Sequence, residues 1–351
     1  MRKSRQITVG NVKIGGGVPI SVQSMCNTKT TDIKATVDQI NRLADAGCDI
    51  VRVAVPDMDA ALAIYEIKKQ ISLPLVADIH FDYKLAIASA ENGADKIRIN
   101  PGNIGGKEKV KEVIKVCSER NIPIRVGVNA GSLDKELLLK YGNTPYALAE
   151  SAIHSCNMLT EHGFENICVS IKSSDVFKTI ETYRIVADKC DFPLHLGVTE
   201  AGSAEMGTIK SAAAMGALLM DGIGDTIRVS LTDDPIKEIY AAKKILKALD
   251  LNDTGINIVS CPTCGRTRVD LISIAKAVEE QTSRFKSKLT VAVMGCAVNG
   301  PGEAKEADLG IACGLGEGLI FKHGEIMYKV PEEKLVESLI KEIESMTGEK
   351  L

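Results

Sequence analysis

The segment DIVRVAV, residues 49–55, is the best guide to the architecture of this chain. It is a short and almost continuous apolar run with one charged residue, Arg52, at its centre. Such runs are typical of strands in a parallel sheet that is covered on both faces, because neither side of the strand meets water. Similar runs recur through the first 250 residues, separated by amphipathic helical patterns. The predicted strands are Pro19–Met25, Asp49–Val55, Leu75–Ile79, Lys96–Ile99, Ile124–Val128, Ile167–Ile171, Leu194–Val198 and Thr226–Ser230.

Eight strand and helix units in about 250 residues predict a (β/α)8 TIM barrel, an α/β fold, over residues 1–250. A doubly wound open sheet is the alternative, but it rarely needs eight repeats in this length. The spacing stretches over residues 133–165, where an extra helix, Lys135–Lys140, is predicted. No clear strand precedes the triple glycine at 15–17 and no helix follows it, so we expect a turn at the bottom of the barrel rather than a phosphate loop.

Residues 251–351 predict a small α+β domain behind a short polar linker at residues 250–255. The linker contains about six residues. The predicted strands are Ile256–Val259, Leu289–Met294, Leu309–Cys313, Leu319–Lys322 and Ile326–Val330. Helices are expected at about Val269–Glu280 and at Glu332–Met346.

Composition excludes several classes of protein. The net charge is -3 and the aromatic fraction is 4% with no Trp, so we expect no nucleic-acid partner. No apolar run is long enough for a membrane helix, and no apolar segment follows the basic start of the chain as it would in a signal peptide. Ten cysteines without an export signal indicate reduced thiols or metal ligands. These features predict a cytoplasmic protein.

The cysteines point to a metal centre in the second domain. Cys261 and Cys264 are two residues apart, and Cys296 follows the next predicted strand in a glycine-rich loop. Three thiolates can hold three irons of a four-iron cluster, and Glu303 is a candidate oxygen ligand for the fourth. Structural zinc is the alternative, although closed zinc sites usually have four Cys or His ligands. Cys313 is an alternative fourth ligand, and we expect the remaining cysteines to be small buried hydrophobes.

Polar residues cluster where the predicted barrel strands end, and the active site of a TIM barrel lies at this end, which we call the mouth. Arginine forks suit phosphate oxygens, and several together suit a diphosphate. The alternative is that some of these arginines pair with Asp49, Asp78, Asp95 or Asp225. Glu200 follows the seventh strand and is a candidate general acid or a helix cap. The five cations that we expect to converge, here called the cationic cup, are Arg52, Arg98, Arg125, Lys172 and Arg228.

The segments CPTCGR (261–266), MGCAVNGPGEA (294–304), VQSM (22–25) and RVGVN (125–129) resemble the 4-hydroxy-3-methylbut-2-enyl diphosphate synthase family of the non-mevalonate isoprenoid pathway. The resemblance covers essentially the whole chain in the compact two-domain form. It implies a [4Fe–4S] cluster on Cys261, Cys264, Cys296 and Glu303, and a substrate, 2-C-methyl-D-erythritol 2,4-cyclodiphosphate, that is reductively opened and dehydrated. It also implies a role for Glu200 as acid. The implied diphosphate-binding residues are Arg52, Arg98, Arg125, Asn129, Lys172 and Ser230.

Two further expectations concern partners. No flavin or nicotinamide site is visible, so the electron donor is expected to be a small carrier, flavodoxin or ferredoxin. A six-residue linker spans about 20 Å at most, which is short for folding the second domain back over its own mouth. This predicts a head-to-tail homodimer in which each cluster domain serves the other barrel. The alternative functions are a pterin-binding barrel of the dihydropteroate synthase type and a non-enzymatic iron–sulfur sensor.

Overall fold

The structure is a computed structural model that describes residues 2–129, 131, 133, 135–251, 255–267, 269–296 and 300–350. It contains two compact units, Met1–Leu251 and Asn252–Leu351. The middle of the predicted linker, residues 252–254, lies outside the described residues. Among the residues described, no helix is both long and apolar enough to cross a membrane.

The chain begins with a β-hairpin that sequence reasoning missed. Strands β1 (Ile7–Val9) and β2 (Val12–Ile14) pair antiparallel. Their apolar side chains pack with Ile50, Val76 and Cys168, near the amino-terminal ends of three barrel strands, so the hairpin closes the bottom of the barrel. The statement that no strand precedes the triple glycine was therefore wrong, although the turn was placed at the correct end of the barrel. Gly10 and Asn11, a common two-residue hairpin loop between β-branched runs, were the signal that could have revealed it.

Eight parallel strands form the barrel, which confirms the predicted fold class. The sheet order is β8-β7-β6-β5-β4-β3-β10-β9, and a parallel bridge between Val169 and Leu194 joins its two ends. The barrel strands are β3 (Ser21–Met25), β4 (Ile50–Ala54), β5 (Leu75–Asp78), β6 (Lys96–Ile99), β7 (Ile124–Asn129), β8 (Ile167–Lys172), β9 (His195–Leu196) and β10 (Thr226–Ile227).

Helices surround the barrel, and aspartate side chains cap several of them. Asp57 accepts a hydrogen bond from the amide of Ala60, and Asp234 caps the helix that begins at Pro235. The extra helix predicted near residue 135 is present. The helices are α1 (Ile33–Asp45), α2 (Met58–Lys68), α3 (Tyr83–Glu91), α4 (Lys107–Glu119), α5 (Lys135–Tyr141), α6 (Pro145–Thr160), α7 (Val176–Lys189), α8 (Ala204–Met220) and α9 (Pro235–Ala248).

The last two barrel strands are shorter than predicted. The ladder between β8 and β9 is interrupted by Tyr183 of α7, which is fully buried. Its hydroxyl accepts a hydrogen bond from the amide of Ile171 and donates one to the carbonyl of His195. One side chain thus stands where a direct bond between two strands would otherwise form. This explains why β8 is joined to the β9 segment only by the bridge between Val169 and Leu194. Strand β9 covers His195–Leu196, whereas Leu194–Val198 was predicted.

The two faces of the barrel strands differ in chemistry. Side chains such as Val51, Ile97 and Val126 point outward and join one continuous apolar core with the helices. The alternate positions point into the barrel, since successive strand residues face opposite sides. Most TIM barrels fill this interior with branched apolar side chains. Here Arg52 and Arg125 occupy it, together with the buried polar residues described below.

The second unit is a five-stranded sheet in the order β11-β12-β13-β14-β15, parallel across its first three strands and antiparallel across the last two. It has its own apolar core, which includes Val291, Leu309 and Leu339. The predicted closing helix begins three residues late, because residues 332–334 form a 3-10 turn. The elements are β11 (Ile256–Ser260), α10 (Leu271–Thr282), β12 (Leu289–Met294), α11 (Gly300–Glu303), β13 (Leu309–Cys313), β14 (Glu317–Lys322), β15 (Glu325–Pro331) and α12 (Leu335–Thr347).

Candidate active site

Asp78 at the end of β5 holds two arginines of the cationic cup. Its Oδ1 lies 3.3 Å from Nη1 of Arg98, and its Oδ2 lies 3.7 Å from Nε of Arg52. All three side chains are buried. Burial alone would raise the pKa of Asp78, but the two guanidinium groups lower it to about 2. The alternative that arginines of the cup form ion pairs therefore holds for Asp78, which leaves two arginines sharing one carboxylate.

Arg125 on β7 is fully buried and has no carboxylate partner among the ion pairs of the described residues. Its Nη1 donates to Oε1 of Gln23 at 3.2 Å, while its Nε and Nη2 have no hydrogen-bond partner among the described residues. Burial, together with the positive charges of Arg98 and Arg228, lowers its pKa to about 10. A buried cation with free donors destabilises the folded protein unless an anion or a water molecule accepts its hydrogen bonds.

Lys172 shows that the five cations converge. It ends β8 and is half-buried. Its pKa is lowered well below the usual range, first by burial and then by repulsion from Arg52, Arg228 and Arg125. Four strands and the segment that follows β10 thus direct positive charge at one region.

Arg228 has a carboxylate partner that sequence reasoning did not identify. Glu238 of α9 is buried, and its Oε1 lies 3.3 Å from Nη2 of Arg228. The same carboxylate accepts hydrogen bonds from the hydroxyl of Ser24 and the amide of Leu231. Of the other predicted partners, Asp95 pairs with Lys68 and Asp225 lies beside Arg2.

Two fully buried groups inside the barrel were not placed in the cup by sequence reasoning. Nζ of Lys96 on β6 and Nε2 of His195 on β9 have no hydrogen-bond partner among the described residues. Burial and the charges of Arg125 and Arg52 lower the pKa of Lys96 to about 8. Burial and neighbouring cations, Arg125 first, also hold the pKa of His195 well below its usual range. Lys96 was overlooked because it begins its strand, whereas functional residues of a TIM barrel are expected where strands end.

The remaining predicted residues lie at the mouth. Asn129 ends β7, and Ser230 and Glu200 follow β10 and β9; Asn129 and Ser230 are half-buried. Glu200 is exposed and has a φ of +51°, in the left-handed region that residues other than glycine rarely adopt. Strained backbone of this kind is concentrated at functional sites.

Three cysteine residues of the second unit, Cys261, Cys264 and Cys296, follow two neighbouring parallel strands. Ser260 of β11 is in register with Val293 of β12, so Cys261 and Cys296 leave the sheet at the same edge. The amide of Gly295 donates to Sγ of Cys261 at 3.1 Å. Cys264 is exposed, and a hydrogen bond from the backbone of Arg266 lowers its pKa, which favours the thiolate.

Glu303 ends the short helix α11 and is exposed. Cys313 is buried within β13, where burial raises its pKa to about 12 and favours the protonated thiol. Within the described ranges, no three His, Cys, Asp or Glu side chains are grouped as ligands of one metal ion. A four-iron cluster requires no such group, because its ligands bind separate irons and lie farther apart.

The fold and these residues define a class of protein, a TIM-barrel enzyme with a cation-rich barrel interior and a cysteine-bearing C-terminal domain. Residues 4–243 match the GcpE TIM-barrel domain, and residues 257–345 match the GcpE protein C-terminal domain. The chain belongs to the GcpE family.

Close relatives cover the whole chain. It is 61% identical over 351 residues to the 4-hydroxy-3-methylbut-2-en-1-yl diphosphate synthase (flavodoxin) of Caldanaerobacter subterraneus subsp. tengcongensis, covering 99% of both chains. It is 60% identical over 346 residues to the synthase of the same name from Clostridium perfringens, covering 98% of this chain and 99% of the relative. The family resemblance drawn from the sequence is therefore confirmed.

Solved structures add information about the fold alone. Dihydropteroate synthase from Stenotrophomonas maltophilia matches with a TM-score of 0.52 and 13% identity, over 70% of this chain and 98% of that one. The HPPK-DHPS of Plasmodium falciparum matches with a TM-score of 0.53 and 13% identity. This match covers 70% of this chain and 49% of that one. The pterin alternative thus had the correct fold, and the close relatives show that its function was wrong.

Proposed function

We propose that the cationic cup binds the diphosphate of the substrate while the cysteine loops of the second domain supply electrons to it. The activity itself follows from the family, since relatives of nearly equal length and about 60% identity are 4-hydroxy-3-methylbut-2-en-1-yl diphosphate synthases. The chain is an oxidoreductase of isoprenoid biosynthesis. It converts 2-C-methyl-D-erythritol 2,4-cyclodiphosphate into 4-hydroxy-3-methylbut-2-enyl diphosphate by reductive ring opening and loss of water.

The observation that carries the substrate site is the excess of positive charge inside the barrel. Asp78 serves both Arg52 and Arg98, and Arg125 retains free donors in a buried position. A diphosphate would satisfy these donors and compensate their charge. Asn129 and Ser230 at the mouth are proposed to complete the binding set.

The residues of the second domain fit an iron–sulfur cluster. Cys261, Cys264 and Cys296 are thiol donors at one edge of the sheet, and a backbone amide already donates to one sulfur. Glu303 is the proposed fourth ligand. When bound, a [4Fe–4S] cluster supplies single electrons and a Lewis-acidic iron.

Glu200 is the proposed acid that protonates the leaving hydroxyl. It follows β9 directly, and its positive φ fixes its backbone in a conformation that must be maintained by its surroundings. We propose flavodoxin as the electron donor, in keeping with the printed names of the relatives, and ferredoxin is the alternative. All ten cysteines are free, which supports the reducing cytoplasm as the compartment.

We propose a head-to-tail homodimer in which each barrel works with the cluster of the other chain. The mouth of the barrel unit carries large apolar side chains that are at least half exposed and lie in loops or first turns after the strands. This apolar rim comprises Phe81, Phe177 and Met206. An exposed apolar set of this kind is typical of a surface that another protein covers.

The proposal is tested with protein purified without air, which should contain about four irons and four sulfides per chain and turn over the cyclic diphosphate. An Arg125→Leu chain should keep the cluster absorbance but bind substrate weakly. Active, colourless protein with stoichiometric zinc would refute the cluster, and normal substrate binding by Arg125→Leu would refute the cup.

Subunit mixing tests the shared site. An Arg125→Leu chain and a Cys264→Ala chain are each expected to be inactive, while a mixed dimer would contain one intact site. Random exchange makes half of the dimers mixed, so activity should recover to about a quarter of wild type. Verified exchange without recovered activity would show that the site is built within one chain.

A further inference from the structure

Gly127 lies in the middle of β7 at a position that faces the barrel interior. Its φ angle is not positive, so the backbone conformation there is open to any residue. Glycine weakens a strand and, where it occurs inside one, often marks the close approach of another group. At this position a specific group approaches.

That group is the guanidinium of Arg98, from the neighbouring strand β6. A Cβ atom built on Gly127 would lie 2.5 Å from Nε of Arg98, 2.9 Å from Nη2 and 3.0 Å from Cζ. All three distances are shorter than a normal contact, and all three atoms belong to one planar group. The Nε–Nη2 edge of the guanidinium therefore lies in space beside the backbone of β7 that any side chain at 127 would occupy.

The other side of the same guanidinium is held by β5, where Asp78 Oδ1 lies 3.3 Å from Nη1. Arg98 is thus located between a carboxylate on one strand and a bare stretch of backbone on another. Arg98 and Arg125 are register partners, and Gly127 lies two residues nearer the mouth than Arg125. The open position at 127 accordingly lets Arg98 lean toward the mouth above Arg125.

We propose that Gly127 is a positioning residue for the diphosphate, because the missing side chain is what allows Arg98 to face the cationic cup. The inference rests on the proposed function of that cup. The colliding atoms belong to a long, flexible side chain, so Gly127→Ala should displace Arg98 rather than disrupt the strand. The barrel is expected to fold with one cation of the cup out of place.

The test measures binding of inorganic pyrophosphate by calorimetry, which requires neither the cluster nor turnover. Gly127→Ala should weaken binding on the order of 10- to 100-fold, the range for one lost charge-assisted hydrogen bond, and close to the effect of Arg98→Ala. Gly216→Ala in α8 is the matched control, since a Cβ there meets nothing within 4 Å, and it should bind as wild type does.

The double variant Arg98→Ala/Gly127→Ala separates positioning from a structural role. If Gly127 acts through Arg98, this chain binds pyrophosphate within about twofold of Arg98→Ala alone. An additional loss in the double variant, or wild-type binding by Gly127→Ala, overturns the proposal. If Gly127→Ala alone fails to fold, recovery of the fold in the double variant supports the collision with Arg98, and continued misfolding overturns it.

Failure of the proposed function gives a different result. Wild-type protein that binds pyrophosphate, with the variants behaving as expected, but does not turn over the cyclic diphosphate would remove the proposed function and leave Gly127 as a positioning residue for an anion. Wild-type protein that does not bind pyrophosphate would overturn the inference about Gly127 itself.

Discussion

Lys96→Met should make the protein more stable while weakening the proposed anion site. Lys96 is fully buried, and its Nζ has no hydrogen-bond partner in the described part of the chain. Its pKa of about 8 means that the folded protein disfavours the charged form. The difference from an ordinary lysine pKa near 10.5 corresponds to about 3 kcal/mol of unfolding free energy at pH 7. Methionine has a similar shape and carries no charge, so the variant should gain about that amount.

The pH dependence has a defined sign. Below pH 8 both the folded and the unfolded lysine carry a proton, so the whole cost of the buried charge is present. Between pH 8 and 10.5 the folded lysine loses its proton first, and the cost disappears. The stability advantage of Lys96→Met over wild type should therefore be largest at pH 7 and decline as the pH rises through this window.

Urea unfolding followed at several pH values between 7 and 10 checks this prediction. Lys111→Met, which replaces an exposed lysine on α4, is the control and should change stability by less than about 0.5 kcal/mol. Pyrophosphate affinity should fall several-fold in Lys96→Met, because one positive charge beneath the cup is lost. A variant that is no more stable than wild type at pH 7 would show that Lys96 is compensated in the folded protein.

Three other substitutions address the barrel seam, the buried ion pair and the metal centre. Tyr183→Phe leaves the amide of Ile171 and the carbonyl of His195 without their partner. The free energy of unfolding, measured in urea, should fall by about 1–3 kcal/mol. An unchanged urea midpoint would show that the two strands can bond directly. Glu238→Ala should destabilise the barrel by about 3 kcal/mol because the Arg228 charge loses its partner, and equal thermal stability would contradict this. Glu303→Ala should still assemble a cluster by anaerobic absorbance but lose most turnover and become more sensitive to oxygen, and wild-type activity would exclude a ligand role.

The fold was largely predictable because the outward faces of the strands are apolar and regularly spaced. The failures came where that signal was short or was replaced by a side chain. The hairpin of β1 and β2 has only three residues per strand, too few to show periodicity. The interruption between β8 and β9 could not be predicted, because nothing in the sequence marks Tyr183 of the connecting helix α7 as a residue whose hydroxyl bonds between the two strands.

For the candidate site, the sequence could predict which types of residue lie at the strand ends, because a TIM barrel brings those ends together. What the sequence could not indicate is how the charges are distributed among partners. Glu238 lies on a helix and faces inward to Arg228, although its helical pattern alone does not distinguish it from a solvated glutamate. Lys96 could likewise be recognised only from its burial in the structure, because a residue at the start of a barrel strand usually has a structural role.

The division of each barrel strand into an apolar outward face and a charged inward face also affects how the chain can evolve. Substitutions at outward positions such as Val51 or Ile97 would reduce the amount of folded protein in the cell, because these side chains build the core. Apolar substitutions at Lys96 or Arg125 would leave abundance unchanged or raise it, so under the proposed role of the cationic cup selection would remove them only for the loss of catalysis. A mutational scan that measures abundance and growth separately should therefore show the two signals alternating along a single strand, with a period of two residues.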